Sequence, residues 1–304
     1  MTNTGKGIGM GLVAAAFWGS TQVAIKLLYD ASLMGPVAVT FYRFVIGGAA
    51  LAAVLAAQRQ GSRLTGAVRD PLPFAWLGVT GIAGMGFLVA LGTELTTATN
   101  VSLIMNANPV FVALLGPLFG ERLSGWRLGG TAVGLAGVSI VVLGAAHSGA
   151  TAEGARHVWG ALASVGAALG WAFYTLRGKA VVARYGGLLT TTGAMLWGAL
   201  LIAPLFLAAP ATYRLSPGSV SILIYLGLAP SALAFALWYR ALALVDAAAL
   251  APTQYVAPPV TVLLAWLLLR ERVDAAFIIG LVLIFAGIAL ASREAAQRPS
   301  PERP

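Results

Sequence analysis

Ten long apolar segments divide this sequence, and they restrict its possible folds more than any other feature. Each is close to the roughly 20 residues that a helix needs to cross the hydrocarbon core of a bilayer. They cover residues 7–28, 36–57, 72–93, 96–119, 126–145, 158–177, 188–208, 219–240, 247–269 and 275–292. Membrane-crossing strands would be about ten residues long and strictly alternating. The sequence therefore predicts an all-α polytopic membrane protein with ten transmembrane helices.

The composition supports this class and excludes others. Only 10% of the residues are charged and 59% are hydrophobic, whereas soluble proteins carry about 25% charged residues. The net charge of +9 does not indicate a nucleic-acid partner, because the basic residues lie in short loops between apolar segments. The absence of cysteine excludes disulfides and thiolate metal sites. The first segment is interpreted as a transmembrane helix and not as a signal peptide, because more apolar segments follow at once.

Catalytic motifs are missing from the sequence. It has no Walker A motif and no G-x-S-x-G or H-E-x-x-H pattern. No Asp or Glu falls in the middle of a predicted span, and both histidines, His147 and His157, fall in one loop. Since proton-coupled carriers commonly use an intramembrane carboxylate or histidine, we expect no carboxylate proton relay. The sequence predicts a protein that is not an enzyme and that uses no cofactor or metal.

The distribution of Lys and Arg predicts the orientation. With a cytoplasmic N-terminus, thirteen basic residues fall inside: Lys6, Arg59, Arg63, Arg69, Arg122, Arg127, Arg177, Lys179, Arg184, Arg240, Arg293, Arg298 and Arg303. Five fall outside: Lys26, Arg156, Arg214, Arg270 and Arg272. Basic residues concentrate on the cytoplasmic side of membrane proteins. Both termini are therefore predicted to be cytoplasmic.

The two halves of the chain repeat each other. Residues 108–130, NPVFVALLGPLFGERLSGWRLGG, align with residues 258–280, PPVTVLLAWLLLRERVDAAFIIG, at an offset of 150. Gly7, Trp18 and Lys26 align with Gly160, Trp171 and Lys179 at an offset of 153. Each half holds five predicted spans, and five is odd, so the second half enters the membrane from the opposite side. Inverted repeats are common in secondary transporters. The alternative is a duplication without alternating access, as in some channels.

These residues resemble a known family. The Gly and Trp of the first segment, Arg43-Phe44 in the second, and a P-V…L…ER…G pattern present in both halves are similar to the EamA domain of the drug/metabolite transporter superfamily. The resemblance covers about 7–145 and 158–292, which we take as two repeats, followed by a disordered cytoplasmic tail at 293–304. One departure is that the second half has no arginine matching Arg43, since its aligned region reads TTTGAMLWGAL.

The resemblance implies a transporter of the cytoplasmic (inner) membrane, often an exporter of amino acids or other small metabolites. Its partners would be a small-molecule substrate and the lipid bilayer, and we expect a monomer. The inverted repeats predict alternating access through a central cavity. Two alternatives stay open: a multidrug or other solute permease, and a channel-like membrane protein of the same architecture.

Polar and aromatic residues repeat along the first helix of each half. Trp18, Gln22 and Lys26 are spaced i, i+4, i+8 and so share one face. Trp171, Thr175 and Lys179 repeat this spacing, with Tyr174 beside them. We interpret Trp18, Gln22, Trp171, Tyr174 and Thr175 as substrate-facing. The alternative for the tryptophans is packing, and for the two lysines we favour snorkelling to the interface.

Prolines interrupt the fourth and ninth segments near polar residues. Ser102 and Asn106 precede Pro109, and Gln254 and Tyr255 precede Pro259. Proline removes a backbone N–H and bends or breaks a helix, and transporters place broken helices at their binding sites. We predict that the four polar residues bind substrate and that Pro109 and Pro259 are gating hinges. The alternative is that the prolines only shape packing.

Two further features lie within spans. Arg43 is the one basic residue about two turns inside a segment. It can snorkel outward, meet a helix C-terminus, or bind a substrate carboxylate, and we include it among the substrate-binding residues. Phe235, Trp238 and Tyr239 form an aromatic patch near a helix end, and we interpret this patch as an interfacial belt.

Overall fold

The computed structural model describes residues 3–119, 125–146, 151–209, 213–242, 244–245 and 250–297, and every regular element in these ranges is helical. In chain order the apolar helices are α1 (Asn3–Ser32), α2 (Pro36–Ala57), α3 (Pro71–Leu95), α4 (Ala98–Phe119), α5 (Gly125–Ala146), α6 (Thr151–Tyr185), α7 (Gly187–Ala208), α8 (Pro217–Ala241), α9 (Thr253–Leu269) and α10 (Ala275–Gln297). A short helix, Leu64–Arg69, lies between α2 and α3. The predicted all-α membrane class is confirmed.

Seven of these helices, α1 to α4 and α6 to α8, are long and apolar enough to cross a membrane. The apolar parts of α5, α9 and α10 are shorter: Leu128–Gly144, Thr253–Leu269 and Ala275–Leu290. The structure thus shows seven candidate spans among the described residues, and the count of ten stays a prediction. The predicted tail starts inside α10, which continues to Gln297. Residues 298–304 of that tail lie outside the described residues.

Proline begins three of the helices. Pro36, Pro71 and Pro217 occupy the first turn of α2, α3 and α8. The first turn has no intrahelical partner for its N–H groups, so a residue without one is tolerated there. In α8 the preceding Ser216 also accepts a hydrogen bond from Ser219 N at 3.1 Å. These starts fix where each helix enters the bundle.

Helices α5 and α10 pack closely along their length. A Cβ atom built on Gly287 of α10 would lie 2.5 Å from both Gly130 O and Gly134 N of α5. Only glycine fits this approach, because any side chain would meet backbone atoms. In lipid there is no hydrophobic driving force between helices, because the lipid tails are themselves apolar. Close packing of small residues therefore helps to hold the helices together.

Three of the described helices contain a π-helical turn: one covers Ala265–Leu269 of α9, and the other two lie at matching places in the sequence repeat. The turn in α3 covers Gly78–Gly84 and the turn in α8 covers Gly227–Leu233. Gly78 lies against α7, near Gly198 N, whereas Gly227 lies against α2, near Ile46. π turns are rare in proteins, and those that occur are often found at functional sites. The two matching turns lie beside the cavity described below.

Helices α4 and α9 are both interrupted, as the prolines predict. In α4 the helix stops at Ala107, and a second piece, Asn108–Leu115, follows. In α9 a 3₁₀ segment, Ala251–Val256, precedes the α-helical piece Ala257–Leu264. The predicted Glu121-Arg122 pair after α4 lies outside the described residues.

Candidate functional site

A cavity of about 190 Å³ lies inside the bundle between the two sequence repeats. Its wall takes residues from α1 to α4 of the first repeat and from α6, α8 and α9 of the second. Eight of the residues predicted from the sequence lie on this wall: Trp18, Gln22, Arg43, Asn106, Pro109, Trp171, Gln254 and Tyr255. The structure therefore brings most of the predicted residues to one place. Their contact with a substrate stays a prediction.

One side of the cavity is aromatic. Phe235 lies between the two repeat-related tryptophans, with ring centroids 5.4 Å from Trp18 and 6.0 Å from Trp171. Trp18 Nε1 donates to Pro230 O at 3.1 Å, in the π turn of α8. Tyr174 stacks on Trp171 at 5.0 Å. The tryptophan rings are thus fixed in position and present flat apolar faces to the cavity.

The aromatic patch of α8 packs against other helices, and its Phe235 belongs to this wall. Phe235 is buried and lines the cavity, Trp238 contacts Trp18 at 5.4 Å, and Tyr239 OH accepts from Thr191 Oγ1 at 2.8 Å. The belt interpretation is therefore wrong. Position near a helix end suggested lipid headgroups, but these side chains face neighbouring helices.

Arg43 contributes the positive charge of the cavity wall. It is only 6% exposed, so it does not snorkel to the interface. Its Nε donates to Ser231 Oγ at 2.9 Å, and its guanidinium lies 4.9 Å from the ring centroid of Phe44. Among the described residues no carboxylate lies within ion-pair distance of it. Of the three alternatives from the sequence, snorkelling is therefore wrong, and binding of a substrate carboxylate stays a prediction.

Amide side chains form the rest of the polar wall. Gln22 is 7% exposed, and its Oε1 has no hydrogen-bond partner among the described residues; the same holds for Oδ1 of Asn108. Asn106 Nδ2 donates to Ser102 O at 2.8 Å. A buried polar atom left unpaired costs about 1–3 kcal/mol. Two side chains that line the cavity thus carry oxygen acceptors that are buried and unpaired among the described residues.

Four predicted residues lie away from the wall. Ser102 bonds to Thr261 Oγ1 at 2.8 Å in the buried contact between α4 and α9. Thr175 Oγ1 donates to Trp171 O at 2.8 Å, and Tyr174 supports Trp171 from behind. Pro259 is exposed and does not line the cavity. Shared helix faces grouped these residues with the wall, but the packing of neighbouring helices separates them from it.

The sequence analysis missed several wall residues. They are Thr21, Phe44, Ile82, Met85, Val89, Met105, Asn108, Phe235 and Ala257. Most are apolar, and apolar residues on the wall cannot be told from lipid-facing ones by composition. Ser231, which holds Arg43 from outside the wall, was also missed. Its only sequence signal is the Pro230-Ser231 pair inside an otherwise apolar span.

Beyond the cavity, at the end that we call the Glu271 end, a carboxylate holds the start of α4. Glu271 accepts from Ala98 N at 2.8 Å, from Thr99 N at 3.1 Å and from Thr99 Oγ1 at 2.6 Å. A negative group at a helix N-terminus satisfies its free N–H groups and its partial positive charge. Residues after α9 and the start of α4 are therefore tied together at this end.

Lys26 makes the complementary contact at the Glu271 end. Its ammonium donates to Thr93 O at 3.0 Å and to Thr96 O at 2.7 Å, where α3 ends. A cation is favoured at a helix C-terminus, where carbonyl groups lack partners. The expectation that Lys26 snorkels is therefore wrong, because its charge is bonded inside the protein. Lys26 ties α1 to the corner between α3 and α4.

A buried polar contact lies between the cavity and the Glu271 end. Thr261 of α9 donates its proton to a backbone carbonyl, that of Gly19 or Ala257, so Ser102 is the donor in their shared bond. A Cβ on Gly19 would lie 2.4 Å from Ala257 O, so glycine permits the close approach of α1 and α9. Helices α1, α4 and α9 are thus in direct contact on this side.

The opposite end, which we call the Asp70 end, is arranged differently. The second piece of α4, Asn108–Leu115, packs against α5, α6 and α10, whereas the first piece packs against α1, α6 and α9. Pro109 lines the cavity and is also exposed. Asp70 itself accepts a hydrogen bond from Arg184 at 3.1 Å and another from Tyr185 OH at 2.7 Å, and both bonds lie near the protein surface.

Comparison with known proteins shows which family this chain is similar to. The model of the EamA-like transporter family matches residues 5–143 and 158–293. A probable terminal-alkyne amino-acid exporter of Streptantibioticus cattleyicolor is 30% identical over 278 residues, which cover 91% of this chain and 90% of that protein. An uncharacterized transporter of Archaeoglobus fulgidus is 29% identical, with 90% and 92% covered.

Two further similarities are informative. The aromatic amino acid exporter YddG of Ancylobacter novellus is 25% identical, and the alignment covers 93% of this chain and 96% of that one. A protein of known crystal structure is 26% identical and superposes with a TM-score of 0.67, covering 96% of this chain and 99% of its own. The helical bundle around the cavity is therefore an arrangement already seen in a solved structure.

Proposed function

The chain belongs to the EamA-like transporter family, and from this premise we propose that it exports amino acids or similar small metabolites by alternating access. Its apolar helices make it a multi-pass membrane protein, and its relatives are named as transporters. One observation supports the proposal most directly. The wall of the cavity between the repeats includes a buried cation, flat aromatic faces and side chains with unpaired amide oxygens, and Glu271 bonds to the start of α4 beyond it.

The size and chemistry of the cavity support a small metabolite. An apolar cavity of about 150 Å³ holds benzene, so about 190 Å³ accommodates a molecule somewhat larger. Arg43 can bind an anionic group, and the oxygens of Gln22 and Asn108 can accept from an ammonium group. Trp18 and Trp171 can pack against a side chain. Amino acids meet all these requirements, and two relatives are named as exporters of amino acids.

Alternating access follows from the two interrupted helices. In each repeat, a helix piece beyond the proline can change its packing while the cavity stays in place. We propose that the second piece of α4 closes the Asp70 end, and that the contacts of α9 with α4 break to open the Glu271 end. Pro109 and Pro259 would act as hinges, because proline removes one backbone hydrogen bond where each arm bends.

The orientation belongs to the same proposal. Arg59, Arg63 and Arg69 lie at the Asp70 end, and the positive-inside rule puts this end in the cytoplasm. The structure would then be open to the cytoplasm and closed to the outside. Both termini would be cytoplasmic in the inner membrane, and the ten helices would form two inverted repeats of five. In this proposal the protein works as a monomer.

Flux of solutes in proteoliposomes tests this proposal. Vesicles with the purified protein would be loaded with single labelled amino acids or with cationic drugs, and efflux down the gradient would be followed. We expect saturable efflux of at least one amino acid. Trp171→Ala should abolish most of it, whereas Trp159→Ala, at a 67% exposed position on the same helix, should not.

The other results of this experiment have separate meanings. Efflux of drugs without amino acids would support a multidrug permease instead. Efflux that does not saturate would favour a channel-like protein. Equal effects of Trp171→Ala and Trp159→Ala would mean that the substrate does not pass through this cavity.

A further inference from the structure

The bonding of Arg43 leaves most of its donors unused. A guanidinium carries five N–H donors. The Nε–H donates to Ser231, and the other four, on the terminal nitrogens, have no hydrogen-bond partner among the described residues. The side chain is 6% exposed and lines the cavity. A buried charge without partners is costly, so the cavity favours a ligand that supplies them.

Ser231 fixes the direction of this guanidinium. Its hydroxyl proton goes to Leu226 O at 2.8 Å, five residues earlier in the π turn of α8. The oxygen is therefore left to accept from Arg43 Nε at 2.9 Å. Ser231 is fully buried and does not line the cavity. It acts on the cavity only through Arg43, by holding one edge of the guanidinium.

Close packing of α2 and α8 makes this contact possible. Gly47 lies one turn after Arg43, and a Cβ atom on it would come within 2.9 Å of Ser231 Cβ. The absence of a side chain at this position lets the two backbones approach until the hydroxyl reaches Nε. Phe44 covers one face of the guanidinium at 4.9 Å. The remaining free edge is the one formed by the two terminal nitrogens.

We propose that Arg43, positioned by Ser231, is the receptor for a carboxylate group and makes the cavity selective for carboxylates over their neutral amides. This inference rests on the proposed function and names one chemical requirement of its substrate. The edge with two terminal nitrogens matches a carboxylate in a two-bond geometry, which a lysine cannot reproduce. No acidic side chain of the described wall competes for Arg43.

Binding of benzoate and benzamide to the purified full-length protein tests this selectivity. The two probes have the same ring and nearly the same size, and they differ in charge. We expect wild type to bind benzoate at least tenfold more tightly than benzamide, as hydrogen bonds to charged groups allow. Arg43→Gln should remove the difference, and Arg43→Lys should retain only part of it.

Ser231→Ala separates positioning from packing. We expect it to weaken benzoate binding by about threefold to tenfold while benzamide binding stays unchanged. The matched control is Ser139→Ala on α5, at an exposed serine whose hydroxyl donates to its own helix, as that of Ser231 does, but which does not line or support the cavity wall. An equal loss for both probes in Ser231→Ala would mean that the serine is only structural, and the positioning role would be overturned.

The two proposals can fail separately. If wild type binds both probes equally, or if Arg43→Gln still prefers benzoate, the carboxylate receptor is overturned whatever the transport assay shows. If benzoate selectivity depends on Arg43 but no amino acid moves across proteoliposomes, the receptor stands and the proposed export function is wrong.

Discussion

Helices α4 and α9 occupy equivalent places in the two repeats, yet the structure surrounds them differently. Both approach the cavity, through Asn106 and Pro109 on one side and through Gln254 and Tyr255 on the other. The first piece of α4 is held by α9 and by Glu271, whereas its second piece packs against α5, α6 and α10. In contrast, α9 stays against α1 along both of its pieces.

The difference shows what a sequence repeat does and does not determine. Matching prolines give both helices an interruption, but of the two Pro109 lines the cavity and Pro259 does not. In an alternating transporter, one end of the cavity is closed while the other is open. The two repeat-related helices therefore cannot make equivalent closing contacts in the same state. An asymmetric pair is therefore what one state of an alternating transporter should look like.

The largest expected effect concerns the sides of the membrane on which α4 and α9 end. Without native cysteine, Ser124→Cys and Val273→Cys can be labelled without background. We expect Ser124→Cys to react only from the cytoplasm and Val273→Cys only from outside, with an impermeant maleimide. Position 273 is preferable to 274, because Asp274 accepts from Phe277 N at 2.7 Å and caps α10. Reaction of both from one side would end the inverted-repeat interpretation.

The second prediction breaks the hold of α9 on α4. Glu271→Gln removes the charge that accepts three hydrogen bonds at the start of α4. We expect the Glu271 end to open, and a Val23→Cys reporter, now 2% exposed, to be labelled from outside about tenfold faster. Glu153→Gln, an exposed glutamate in the first turn of α6, is the control. An unchanged labelling rate would show that this carboxylate does not hold the end closed.

The third prediction compares the two prolines directly. Pro109→Ala and Pro259→Ala each restore a backbone N–H and should stiffen one arm. Cysteine reporters at positions 106 and 256 would measure water access from each side. We expect several-fold shifts in opposite directions. Shifts in the same direction would mean that the prolines shape packing and that the hinges lie elsewhere.

The smallest expected effect separates the wall from the contact beside it. Asn106→Ala should lower transport several-fold with a near-normal melting temperature, because Asn106 lines the cavity. Ser102→Ala should leave substrate affinity unchanged and lower stability slightly, since interhelical hydrogen bonds in membranes average about 0.6 kcal/mol. Flux and thermal unfolding of both variants would check this. The reverse pattern would exchange the two roles.

The features that the sequence predicted are those with local causes. Apolar length predicts the helices, and prolines predict the interruption at Ala107. Helical spacing brought Trp18 and Gln22 to the same cavity, because both lie on the inner face of α1. These inferences need only one helix at a time.

The remaining features depend on contacts between helices distant in sequence. Nothing near Lys26 in the chain indicates that carbonyls of Thr93 and Thr96 will receive its charge. The bond from Arg43 to Ser231 joins residues 188 positions apart. A repeat pattern also cannot predict which of the two interrupted helices has its proline on the cavity wall, because the pattern is the same in both.

The π turns of α3 and α8 have a consequence for the phase of each helix. One residue advances an α-helix by about 100°, and a π turn absorbs an extra residue without rotating the helical turns after it. Deleting one residue between Gly78 and Gly84 would therefore restore a regular α-helix and leave Met85 and Val89 facing the cavity. A deletion between Gly227 and Leu233 would do the same for Phe235. Each of these two helices thus carries a surplus residue that the rotational register of its cavity-lining turns does not require.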